Sequence, residues 1–306
     1  KDKEPTVKIA VVVLTVLISF GGRVEAQKDD LKLLGFQYAW SFGQEFAGKV
    51  IHGENVGKSL LKSLYEAAPP AVLRHVGMRM VAENWRLAIP AQLLIHKGVE
   101  IEQLSIRGEP IISSSLLTSW AVDYLWFNLR IKEGKPLLPR VNLNAVTTSF
   151  RYDRKDFLWG ESLVSGTVVW STLGSLGTIQ SGYTVAGRSM FGVIFVRSEH
   201  LSDHLLSHEI IHRFQEIRGG ALINPLFESI RFETKKPWTW IGAINLSPLS
   251  SFLHLDWGGF VDYYGLTLFQ NVVGNPCEQR TLIEWEPIIY IDGTVKGTEK
   301  ISGWCR

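Results

Sequence analysis

The stretch Ser207-His208-Glu209-Ile210-Ile211-His212-Arg213-Phe214-Gln215 contains a His-Glu-x-x-His pair, the most specific chemical signal in the chain. On a helix, positions 208 and 212 project from one face, so two imidazoles can grip one metal ion. Glu209 is rotated about a third of a turn and can act on a metal-held water as general base. Gln215 shares the histidine face; it either orients a ligand or meets a neighbouring strand. The same short pattern also arises by chance on surface helices with solvated side chains. Residues 190–196 (MFGVIFV) predict a strand, and a helix follows from about 202 to 217, ended by Gly219-Gly220. Ser202 or Asp203 is the expected cap.

A catalytic zinc takes three protein ligands and keeps one open position. The residues after His212, Arg213-Phe214-Gln215-Glu216-Ile217-Arg218, lack the Gly/His extension of the metzincins. Glu228 and Glu233 follow at a suggestive distance, but the sequence around them reads as strand and loop. A better candidate region lies further on, in residues 263–280, which include Asn275-Pro276-Cys277-Glu278. Asn275 can cap a helix and Pro276 suits its first position, which puts Glu278 rigidly in the first turn. An ordinary acidic residue favoured by the helix dipole is the alternative.

These two motifs resemble those of bacterial gluzincin-like metallopeptidase domains, including the peptidase-like core found with contractile injection systems. The family pattern is a strand, a helix with His-Glu-x-x-His-x-x-Gln, and a later Asn-Pro-x-Glu opening another helix. The resemblance spans roughly residues 185–285 and departs at Thr281, where the family usually carries a small residue such as Ala. It implies Zn²⁺ held by His208, His212 and Glu278, with Glu209 as the catalytic base. It also implies an α+β, zincin-like region with an edge strand followed by the active-site helix. In zinc peptidases that strand can pair with an extended substrate.

Other candidates are weaker. His200 and His204 are four apart and could form a second metal site, or simply lie in a solvated helix start. His254-Leu255-Asp256 is a possible supporting pair for a ligand. Tyr263 and Tyr264 are either oxyanion donors or core aromatics. The Gly177–Gly182 stretch lacks the Lys of a phosphate loop, and no Ser or Cys nucleophile stands in a recognisable setting.

Residues 9–22 form an apolar run of fourteen between Lys8 and Arg23, short for a bilayer span but suited to a signal-peptide core. Val24-Glu25-Ala26 has the look of a signal-peptidase site. Residues 1–26 are therefore expected to be a signal peptide or a membrane anchor, and the protein to be extracytoplasmic, periplasmic or membrane-anchored. Residues 27–140 read as a mainly helical region of unknown role, with a break at Pro69-Pro70 and a further buried helix over 111–130. Residues 141–306 read as the zincin-like α+β region, with strands at 141–146 and 166–170. Eleven Trp, several in apolar stretches, suit a membrane interface, a large partner surface or aromatic core filling. A formal net charge of +2 with no dense basic cluster gives no indication of nucleic-acid binding. Two cysteines, Cys277 and Cys305, are too few for a disulfide scaffold; whether they pair is open.

The expectation is an exported or membrane-anchored zinc metallopeptidase-like protein acting on a peptide or protein substrate. One alternative is a non-catalytic structural or accessory subunit of a membrane-associated complex, with membrane or membrane-protein partners, that keeps a zincin-like fold. Another is an envelope hydrolase acting on a different amide.

Overall fold

The structure, a computed structural model, describes residues 26–111, 118–131, 137–151, 156–174, 176, 185–227, 253–254, 258, 286–287 and 290–291. It is an α+β protein whose N-terminal region is helical. Helices α1 (Ala26–Ile51), α2 (Val56–Glu66), α3 (Ala68–Glu83) and α4 (Ala88–Ile106) come first, with a 3₁₀ turn at Trp85–Leu87. Strands β1 (Trp120–Tyr124), β2 (Phe127–Ile131) and β3 (Leu138–Asn142) follow, then α5 (Leu143–Thr148) and α6 (Trp159–Ser165). The chain continues through β4 (Val168–Thr172), β5 (Gly187–Met190), β6 (Val193–Arg197), α7 (Asp203–Phe227) and the short β7 (Leu253–His254).

Local chemistry explains several of these boundaries. Asn55 caps α2, its Oδ1 accepting from the amides of Gly57 and Lys58 at 3.0 and 3.2 Å. Pro69 and Pro70 do not break a helix; they stand in the first turn of α3, where a missing N–H costs nothing. Helices α3 and α4 approach closely because each offers a glycine. A Cβ on Gly77 would lie 2.9 Å from the Ala91 carbonyl, and one on Gly98 would lie 3.0 Å from that of Pro70.

The helix expected over 111–130 is corrected. Residues 120–124 and 127–131 form an antiparallel hairpin, Trp120 opposite Ile131 and Tyr124 opposite Phe127. The run is rich in aromatic and β-branched side chains, which suit a pleated, half-buried surface. The strand expected over 141–146 is also corrected: β3 ends at Asn142, whose side chain caps α5 through the Ala145 amide at 3.1 Å.

One sheet has the order β1-β2-β3-β7 and the other β4-β6-β5. The apolar run at 190–196 is a hairpin rather than one strand, turning at Phe191 and Gly192, both at positive φ (48° and 85°). In this sheet β6 is central, parallel to β4 and antiparallel to β5. Both faces of β6 are covered. Ile194 and Val196 join a core with α3, α4 and α7, while Val193 and Phe195 join a second one with Ala145, Val168 and Leu176. That is why Val193-Ile194-Phe195-Val196 is apolar at every position. The larger core runs from Leu33 through the helical region and α7 to Tyr290 and Ile291.

Buried polar groups line the inside of the helical region. Gln37, Ser41, Gln44, Glu45 and Lys49 follow one side of α1 and are all buried. Lys49 Nζ reaches Glu45 at 3.1 Å, Glu66 at 2.6 Å and the Ser105 hydroxyl at 2.8 Å, and Arg74 pairs with Glu102. Conversely, α2 turns Ser59 and Ser63 inward and leaves Val56, Leu60, Leu61, Leu64 and Tyr65 exposed. Among the described residues no helix is long and apolar enough to cross a membrane.

Two of the buried groups should titrate in opposite directions. Burial, helped by Glu102, pushes the Glu45 carboxyl up to about 7, and burial, helped by Arg79, pushes His75 down to about 4. Between pH 4.5 and 7 the folded chain keeps the Glu45 proton that the unfolded chain releases, so stability falls as pH rises. Between pH 6.5 and 4 the unfolded chain takes up a proton at His75 that the folded chain refuses, so stability falls as pH drops. Glu45→Gln should therefore gain on the parent by up to roughly 3 kcal/mol as pH rises through the first window. His75→Gln should gain a similar amount as pH falls through the second. Urea-unfolding free energies across pH 4–8 check both, and curves parallel to the parent's would contradict them.

Candidate metal site

Helix α7 carries the His-Glu-x-x-His pair through the middle of the molecule. Ser202 is its cap, the Oγ accepting from the Leu205 amide at 3.2 Å. Asp203 instead accepts from Trp85 Nε1 at 2.8 Å and Arg86 at 3.1 Å, pinning the helix start to the 3₁₀ turn. The helix does not stop at Gly219-Gly220; it continues to Phe227, with both glycines buried. Leu206, Ile210, Ile211, Phe214, Ile217 and Ala221 enter the core. Each of the two buried arginines on α7, Arg213 and Arg218, is matched by a carboxylate.

On its remaining side α7 brings His208 and His212 together, both half-buried, ring centroids 4.7 Å apart and planes at 76°. Their Nε2 atoms lie 3.1 Å apart. The other nitrogen of His212, Nδ1, is 2.8 Å from Gln215 Oε1. The Gln215 amide nitrogen donates to Glu286 Oε2 at 2.8 Å, which leaves its oxygen facing His212. An amide oxygen only accepts, so Nδ1 of His212 donates and Nε2 keeps its lone pair toward His208. Gln215 therefore fixes the orientation of the His212 ring through its Nδ1.

Glu286, fully buried, belongs to no motif in the sequence. Its carboxylate accepts from Arg218 Nη1 at 2.9 and 2.8 Å and from Gln37. Arg218 in turn stacks its guanidinium over Trp40, 4.6 Å from the ring centre, and over Phe36. The chain of contacts His212–Gln215–Glu286–Arg218 therefore ties one histidine to the helical region. The only hint was Arg218 itself: a basic residue on an otherwise apolar helix face needs a buried acid.

Glu209 is 4% exposed and lies against β5, where a Cβ added to Gly187 would stand 2.7 Å from its Oε1. Arg213 donates to Asp123 at 2.5 Å and to Glu216 at 3.0 Å. Glu216 accepts from the amides of Phe191 and Gly192 at 2.7 and 3.0 Å, holding the β5–β6 turn on the helix. Burial alone would raise the Asp123 carboxyl, but Arg213 beside it, with His96 and His254, holds it well below the usual carboxylate range.

The other sequence candidates fall differently. His200 ends an exposed 3₁₀ turn and His204 is exposed in the first turn of α7. His254 lies on β7 with its Nδ1 3.3 Å from Arg140 Nη2, in the group around Asp123. Glu278, the expected third ligand, lies outside the described residues, as do Asp256, Tyr263, Tyr264, Glu228, Glu233, both cysteines and residues 1–25. Among the described residues no group of three or more His, Cys, Asp or Glu stands ready as a metal cage.

No family model matches the chain, and no curated protein or solved structure matches it either.

Proposed function

We propose that this is a zinc-dependent peptide hydrolase of the gluzincin kind, exported or held at a membrane outside the cytoplasm. The observation that carries the reading is the bite of the two histidines. A tetrahedral zinc with nitrogen ligands at 2.0–2.1 Å places those nitrogens about 3.3 Å apart. The Nε2 atoms of His208 and His212 are 3.1 Å apart, with the His212 tautomer fixed by Gln215. That donor pair fits zinc, and Glu278 is the proposed third ligand.

When bound, zinc would supply Lewis acidity and lower the pKa of water in its open position. Glu209 would take the proton from the attacking water and pass it to the leaving amine. Gln215, Glu286 and Arg218 would hold His212 in register and donate nothing to the reaction. The edge strand β5, rather than the central β6, is the side from which an extended peptide would reach Glu209.

The test is cleavage of an unfolded protein such as casein by the zinc-loaded full chain. Cleavage that stops on chelation and returns with zinc supports the proposal. A zinc-loaded chain that cleaves no peptide favours the second reading, an accessory subunit of a membrane-associated complex. The outward apolar side of α2, with Leu61 at 65% and Tyr65 at 62% exposure, is the specific observation behind that alternative.

A further inference from the structure

We infer that Gly187 is a positioning residue: the missing side chain on β5 makes the space in which the Glu209 carboxylate stands. The inference rests on the proposed hydrolase. Gly187 is paired with Val196 in a regular antiparallel ladder, and it is not one of the described residues with positive φ. Backbone freedom therefore does not explain a glycine here. Space does. A Cβ at this position would stand 2.7 Å from Glu209 Oε1, 3.0 Å from Glu209 Cδ and 2.9 Å from Leu205 Cδ1. Such distances are well inside van der Waals contact, so something must move.

What moves decides the consequence. All three atoms are the far ends of flexible side chains rather than backbone, so the strand and helix can stay in place while the carboxylate and the leucine tip swing away. Ala at 187 should be a mild change to the fold and a severe one to the base. Proton transfer needs hydrogen-bond reach, and a misplacement of about 1 Å can cost about a hundredfold in rate. A gluzincin-like motif alone would not single out this glycine; it lies sixteen residues or more before the helix and is brought to Glu209 only by the β5–β6 hairpin.

The experiment uses the full chain, with and without zinc. In the metal-free protein, Gly187→Ala should lower the melting temperature more in the parent than in a Glu209→Ala chain, because the two side chains compete for one space. In the zinc-loaded protein, Gly187→Ala should keep stoichiometric zinc and lose about a hundredfold in casein hydrolysis. Glu209→Asp shortens the base by one methylene, so adding Gly187→Ala to Glu209→Asp should cost far less than it does in the parent. Equal melting penalties in both backgrounds would overturn the inference whatever the chain catalyses. Full hydrolysis by Gly187→Ala in an active parent would overturn it and leave the proposed hydrolase standing. Unequal melting penalties with a zinc-loaded parent that cleaves nothing would sink the hydrolase, and with it any catalytic role for Gly187.

Discussion

Glu209→Gln should leave zinc bound at parent stoichiometry and lower peptide hydrolysis by about a hundredfold to ten-thousandfold. The substitution keeps size and shape, so the contact with β5 and Gly187 persists and the helix does not repack. What changes is basicity: an amide oxygen cannot accept and hold a proton near neutral pH, so the attacking water is no longer deprotonated. Glu209 is buried and one residue along the helix from half-buried His208, so the two side chains can take separate roles. In the proposed mechanism the histidines would hold metal and Glu209 would move protons. Zinc content by atomic absorption and rates on casein check the pair of outcomes. A Glu209→Gln chain that still hydrolyses at the parent rate contradicts the mechanism.

The second large effect belongs to the fold. Arg218→Ala should lower unfolding free energy by about 3–5 kcal/mol, because it strands a buried carboxylate. Glu286 is fully buried and loses both Nη1 hydrogen bonds, and the stack on Trp40 and Phe36 disappears with them. Pairing Arg218→Met with Glu286→Gln should recover much of the loss, since an apolar side chain of similar length refills the volume and no charge is left behind. Urea unfolding of the three chains decides it. If the double variant is no better than Arg218→Ala, packing against Trp40 rather than the buried charge governs this point.

How far the sequence reached is clearest along α7. Period and motif together placed His208, His212 and Glu209 on a helix after an apolar strand, and the structure puts them there. Its length is not legible in the sequence, because Gly219-Gly220 looks like a stop signal, whereas both glycines are buried and the helix runs through them. The hairpin at 120–131 was hidden for a related reason. A continuous apolar and aromatic run has no period of its own, and only its partners distinguish strand from buried helix. Asp123 in the middle of that run is the residue that helix reasoning leaves unexplained, and its pairing with Arg213 across 90 positions is what the strand supplies. The same holds for Glu286 and Gly187. Each acquires its meaning through a contact far along the chain, with Arg218 in one case and Glu209 in the other. Leu60, Leu61, Leu64 and Tyr65 fall at helical spacing, yet that side of α2 faces outward, while its serines face the charged interior.

The central claim is that His208 and His212 hold one zinc ion together. X-ray absorption at the zinc edge of the full, zinc-loaded chain measures this directly, compared with His208→Ala and His212→Ala. The account predicts two imidazole nitrogens at about 2.0–2.1 Å with oxygen completing four-coordination, and loss of bound zinc in either variant. A first shell without two imidazoles, or zinc retained unchanged in both variants, would contradict it.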